Sequence, residues 1–139
     1  LSLRMDRHWS NTEKVVAYLQ KQGAVESINY AGLPSSPWHE RGKKYFAGKG
    51  FGSVIAFVLK GGLAEGQKFV EALKLHSHVA NIGDVRSLVI QPASTTHSQL
   101  TPEEQLSSGV VPGLVRLSVG LENIEDILAD LDLGFAAIR

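Results

Sequence analysis

Four short strand-like runs, separated by amphipathic helix patterns, predict an α+β fold: a two-layer sandwich with a mainly antiparallel sheet and helices on one face. A hydrophobic content of 43% in 139 residues suits one domain able to bury roughly two-thirds of its unfolded surface. Glycine and proline punctuation then separates the elements.

Leu3, Met5, His8, Trp9, Thr12, Val15, Val16 and Leu19 recur at threes and fours, so residues 3–22 read as a long opening helix, with Gly23 placed to end it. Val25 to Tyr30 alternates as a short strand, and Gly32 to Pro37 is turn-rich. Trp38 to Tyr45 fits one or two helical turns, and Gly48, Gly50 and Gly52 read as turn residues. The run Ser53 to Leu59 is the strongest strand; its unbroken apolarity predicts a central strand buried on both faces. After Gly61-Gly62, Leu63 to Leu75 forms an amphipathic helix pattern through Phe69, Val70, Leu73 and Leu75. Ser87 to Gln91 is a shorter strand closed by Pro92. Thr101-Pro102-Glu103-Glu104 supplies an N-cap, a proline at the first helical position and a capping-box glutamate, for a short helix stopped by Gly109. Leu114 to Gly120 is the last strand, and Ile124 to Leu133 the closing acidic helix.

The charge balance excludes one class of partner. Lys plus Arg and Asp plus Glu number 14 each, and no basic run interleaves with aromatics, which argues against nucleic acid. No apolar run reaches the roughly 20 residues of a membrane span. The absence of cysteine removes disulfides and thiol chemistry and fits a reducing compartment, so a cytoplasmic location is the expectation. The only methionine is Met5, which suggests a chain that begins inside a longer protein.

One residue stands out in the last strand. Leu114, Arg116 and Ser118 share one face, and Val115, Leu117 and Val119 the other, which leaves a guanidinium in an apolar setting in need of a partner. A planar donor fork fits a carboxylate bidentately, either a substrate's or an internal Asp or Glu, and spacing favours neither. Other candidates are weaker. Ser94 to Ser98 packs hydroxyls around His97 without a nucleophile elbow or an orienting acid, so it reads as a loop satisfying its own backbone. His76 and His78 are two apart with no third ligand, so no metal site is expected. The three glycines at 48, 50 and 52 precede a strand, not the helix a phosphate cradle needs. Glu122, Glu125, Asp126, Asp130 and Asp132 read as a solvated helix face, and Asn81 before Ile82-Gly83-Asp84 as a cap ahead of a turn.

Taken together, Asn81 to Asp84, Ser87 to His97 and Leu114 to Glu122 resemble the C-terminal small domain of the Cys/Met-metabolism family of pyridoxal-phosphate enzymes, transferases of fold type I. Tyr30 to Leu33, Ser36 to His39, Lys49 to Gly52 and Gly61-Gly62 extend the likeness over essentially all 139 residues. Within the family the chain is most similar to the O-acetylhomoserine sulfhydrylase branch. Asn81 stands where the transsulfuration branch usually has serine, and Ser94 to Gln99 resembles the sulfhydrylase form of that loop.

The resemblance implies that Arg116 binds the substrate α-carboxylate with support from Asn81, and that Ser94, Thr95 and Thr96, with His97, lie near the pocket as positioning elements. It implies pyridoxal 5'-phosphate as cofactor, held mainly by a large domain, with O-acetylhomoserine and sulfide as substrates and a homotetramer at full length. None of the eight lysines sits in the family's Ser-x-Thr-Lys-like Schiff-base motif, so no catalytic or cofactor-binding residue is expected in this chain. Residues 1–139 then correspond to the small domain, with 1–22 as the long interdomain helix and the large domain absent, which predicts an inactive fragment. The alternatives are the small domain of a cystathionine γ-synthase or γ-lyase, and a stand-alone binding module without catalysis.

Overall fold

Strand alternation sorts side chains onto two sheet faces, and the protein buries only one of them under helices. The structure, a computed structural model, describes residues 1–139. The elements run α1 (Ser2–Leu19), β1 (Val25–Asn29), α2 (His39–Phe46), β2 (Val54–Leu59), α3 (Leu63–Ala72), β3 (Leu88–Ile90), a 3-10 turn (Pro92–Ser94), α4 (Pro102–Ser107), β4 (Leu114–Ser118) and α5 (Ile124–Ala137). The sheet order is β1-β2-β4-β3, with every neighbouring pair antiparallel. This is the expected α+β two-layer sandwich.

Register decides the layers. Ile55 opposes Leu117, Phe57 opposes Val115 and Val89 opposes Leu117, and all five side chains enter the core with Val15, Val16 and Leu19 of α1, Phe69 and Val70 of α3, and Ile127, Leu131 and Phe135 of α5. Phe69 links the helices to the sheet through edge-on contacts with Phe57 and Phe135, at centroid distances of 5.8 and 4.9 Å. Alternate positions point the other way: Val54 opposes Ser118, Ala56 opposes Arg116, and Val58 opposes Leu114. No helix covers that face at the β2 positions, so Val54 is exposed and Ala56 and Val58 are half-buried.

Several expectations are corrected. β2 is central as predicted, yet only Ile55, Phe57 and Leu59 are buried, because the sheet has one helical layer and not two. α3 stops at Ala72 rather than Leu75, since the amides of Lys74, Leu75 and His76 turn to the Asp130 side chain. α1 ends at Leu19, with turns filling the gap to β1, and its expected apolar positions Leu3 and Met5 lie exposed. α5 runs past Gly134 to Ala137, because Gly134 seats the Phe69 ring and Phe135 is buried beyond it. The Thr101 capping box forms as expected, and Gly48, Gly50 and Gly52 all take positive φ.

At the β2 to β4 crossing, Leu59 N–H donates to Gly113 O at 2.9 Å, and a Cβ on Gly113 would collide with the Leu59 carbonyl oxygen. Gly113→Ala is therefore expected to destabilise the fold by about 1–3 kcal/mol. Gly23→Ala, with nothing near its added Cβ, is expected to stabilise it by about 0.4–1 kcal/mol. Urea unfolding midpoints of the two variants, with opposite signs of shift, check the pair.

Candidate functional site

Arg116 sits mid-strand in β4 on the face without helices, opposite Ala56 on β2 and Ile90 on β3. Its side chain is half-buried, and its Nη2 donates to Ala80 O at 2.9 Å and Asn81 O at 3.5 Å. No carboxylate pairs with it: the ion pairs of the chain are Lys43–Glu40, Lys68–Glu65, His76–Asp130 and Arg86–Asp84. Asp84, the carboxylate of the Asn81 loop, is engaged by the side chain and amide of Arg86, which hold its carboxyl down at about 2. The guanidinium is thus oriented by two backbone oxygens, with Nε and Nη1 left to donate to an anion.

The loop that supplies those oxygens is anchored at both ends. Ser77 pairs with the outer edge of β3 through Ser77 N–H to Ser87 O and Val89 N–H to Ser77 O, each at 2.9 Å. From there residues 78–86 cross to the open face, where Leu88 and Ile90 are buried and Arg116 reaches Ala80. At the far end, Glu122 accepts from Ser87 N at 2.6 Å and Ser87 Oγ at 2.9 Å, and Gly120 N–H donates to that same Oγ. At the near end, Asp130 Oδ1 accepts from Lys74 N and Leu75 N, while Oδ2 accepts from His76 N and His76 Nδ1 at 2.7 Å.

The Asp130–His76 pair lies within the protein. Burial pushes the Asp130 carboxyl up, but donation from His76 and from the three amides outweighs it and leaves the group below its ordinary value. Burial pushes the His76 imidazole down, and this outweighs the upward pull of Asp130 and Glu122. A neutral His76 then carries its proton on Nδ1, and its buried Nε2 has no partner. The solvated-face reading of the acids therefore fails for two of them. Asp130 is buried on α5, and Glu122 is tied to Ser87. Sequence held a signal for Asp130, which is three after Ile127 and so on the core side of the helix.

α1 grips the end of the Arg116 strand. His8 Nδ1 meets Val119 O at 2.6 Å, Asn11 Nδ2 donates to Gly120 O and Glu122 O at 3.0 Å, and Arg7 donates to Leu121 O and Glu122 O.

The remaining expected residues divide. Asn81 approaches Arg116 through its backbone oxygen and is itself exposed. Ser94 Oγ donates to Gln91 Oε1 at 2.7 Å, Thr95 Oγ1 donates to Gln91 O at 2.8 Å, and Thr96 Oγ1 meets His97 Nδ1 at 2.8 Å. No hydrogen bond joins these three to Arg116. Ser94 and Thr95 instead line a cavity of about 190 Å³ with Gln67, Glu71, His78 and Gln91, while Thr96 is exposed. Gln91, missed in the sequence, bridges Leu63 O and Pro112 O through its amide. No helix of the chain is long and apolar enough to cross a membrane.

Comparison with known proteins identifies the family. The family model described as Cys/Met metabolism PLP-dependent enzyme matches residues 1–136. The chain belongs to that family. O-acetyl-L-homoserine sulfhydrylase 1 of Thermus thermophilus is 55% identical over 131 residues, 94% of this chain and 31% of that protein. An L-methionine gamma-lyase of Fusobacterium nucleatum is 48% identical over 136 residues, 98% of this chain and 34% of that protein. Among solved structures, cystathionine gamma-lyase from Lactobacillus plantarum complexed with L-serine superposes with a TM-score of 0.88 at 38% identity, covering 98% of this chain and 35% of that one. The chain spans about a third of the length of the relatives it matches. Pyridoxal phosphate is the family's cofactor, yet no strand of this sheet carries a lysine. The free donors of Arg116 suit an anionic group.

Acid should loosen the Asp130–His76 clamp. Both groups sit below their ordinary values when folded, so they bind fewer protons there than in the unfolded chain, and protonation favours unfolding. The stabilisation is complete above the ordinary imidazole value of 6.5, declines as pH falls below it, and declines again below the ordinary carboxyl value of 3.8. Urea midpoints at about pH 7.5 and about pH 5 should differ more for the native sequence than for His76→Gln, which cannot titrate.

Proposed function

We propose that this chain is the small domain of a pyridoxal-phosphate-dependent O-acetylhomoserine sulfhydrylase, which converts O-acetylhomoserine and sulfide to homocysteine and acetate. The observation that carries the reading is Arg116: a strand-borne guanidinium on an uncovered face, aimed by backbone oxygens and paired with no acid. Sulfhydrylase relatives at 53–55% identity support the branch. The large domain, the cofactor and the Schiff-base lysine belong to the rest of the full-length protein, a cytoplasmic homotetramer in this reading.

The cofactor, when bound, supplies an electron sink for proton loss and release of acetate before sulfide adds. Arg116 binds the substrate α-carboxylate through the donors that Ala80 and Asn81 leave free, which holds the reacting carbons in place. Asn81 shapes the site through its backbone, and the Ser94, Thr95 and Thr96 loop serves as a neighbouring wall. Ala56 lies directly opposite Arg116 and gives that side of the guanidinium an apolar neighbour.

In the full-length enzyme, Arg116→Ala is expected to raise KM for the amino acid about 100-fold or more, since two charge-assisted hydrogen bonds at about 1.5–3 kcal/mol each are lost. Cofactor absorbance should be retained. An unchanged KM refutes the assignment.

The methionine gamma-lyase relative at 48% identity supports a second reading, the small domain of a γ-lyase or of a cystathionine γ-synthase type enzyme. Steady-state rates with sulfide, with cysteine and without added nucleophile separate the two readings. The sulfhydrylase reading expects homocysteine only when sulfide is present.

A further inference from the structure

The Asp130 carboxylate takes four donors from one short stretch, three successive amides and an imidazole, and none of them belongs to its own helix. That stretch is the exit of α3. Ser77 follows at once and pairs with β3, a tight turn closes from Val79 N to Ser77 O, and the next residue, Ala80, presents its oxygen to Arg116. From Val79 to Asp84 the loop makes no further backbone hydrogen bond to the rest of the fold, so its place over the sheet is set by its two ends. Glu122 secures the far end at Ser87. Asp130 secures the near end from the opposite side of the sheet.

We propose that Asp130, acting through His76 and the amides of Lys74 to His76, is a positioning residue for Arg116, placing the Ala80 and Asn81 oxygens that aim its guanidinium at a substrate carboxylate. The inference rests on the carboxylate-binding reading of Arg116. Helix α3 could otherwise continue through Leu75, as its apolar pattern invites, and the loop would then leave from another point. The buried carboxylate competes for those amides and ends the helix at Ala72.

The test uses the full-length holoenzyme. Asp130→Asn keeps one acceptor oxygen but turns an NH2 toward N–H donors, so it is expected to raise KM for the amino-acid substrate about tenfold. The kcat and the KM for sulfide should stay within about twofold, with cofactor absorbance intact. His76→Ala should raise KM about threefold or more, whereas His76→Asn, whose amide can replace the Nδ1 donor, should restore the native value. In an Arg116→Ala background, Asp130→Asn should add nothing to KM, because the group it positions is gone. Hydrogen exchange should quicken over residues 74–81 in Asp130→Asn and His76→Ala and stay unchanged in the remaining strands.

Native KM in both Asp130→Asn and His76→Ala, alongside a raised KM in Arg116→Ala, overturns the inference and leaves the carboxylate reading standing. Additive effects in the double variant overturn it as well. Unchanged KM in Arg116→Ala overturns both. If Asp130→Asn fails to fold, the His76→Ala and His76→Asn comparison decides alone, since it removes and restores one bond of four.

Discussion

The register of β4 between β2 and β3 is the constraint on which the other features depend. Val115, Leu117 and Val119 enter the core, so Arg116 is bound to leave it, and a slip of one residue would bury the guanidinium and expose three valine and leucine side chains. The apolar surface withheld from water on one face thus fixes a charge on the other. Burial of three branched side chains, at about 1.5–3 kcal/mol each, outweighs any local preference of the arginine.

Because all the core helices lie on one side, the second face is free to serve as a site, and the chain spends its polar interior on shaping that face. Asp130 and Glu122 both follow β4 in sequence, yet both hold the loop that precedes β3. Arg7, His8 and Asn11 add a third hold, from α1 to the carbonyls after β4. The strand bearing Arg116 is therefore locked to the first helix, and the loop over it to the last.

Much of the fold was legible beforehand. Periodicity marked α1, α3, α5, β1 and β4, unbroken apolarity marked β2, and the capping box marked α4, while the positive-φ glycines behaved as their chemistry demands. Boundaries moved where side chains from distant elements intervened. α3 loses its last turn to Asp130, and α5 passes Gly134 because Phe69 occupies the space a side chain would need. β2 looked buried on both faces because its residues are apolar throughout, and apolar composition cannot say how many helical layers a sheet receives.

The candidate site divided along the same line. By itself the sequence determined that Arg116 lies on the face opposite the core, since a period of two is a local property of an extended chain. It also carried the resemblance that named a carboxylate as the ligand. Only the tertiary structure decided that no acid of this chain reaches Arg116, that Asp84 is taken by Arg86, and that Asp130 is a buried clamp and not part of a solvated face. The Arg116 and Asp130 contacts join residues 36 and 56 apart along the chain, whereas Asp84 and Arg86 are only two apart. Sequence spacing reports the face of an element on which a residue lies; the partner it meets there is set by packing.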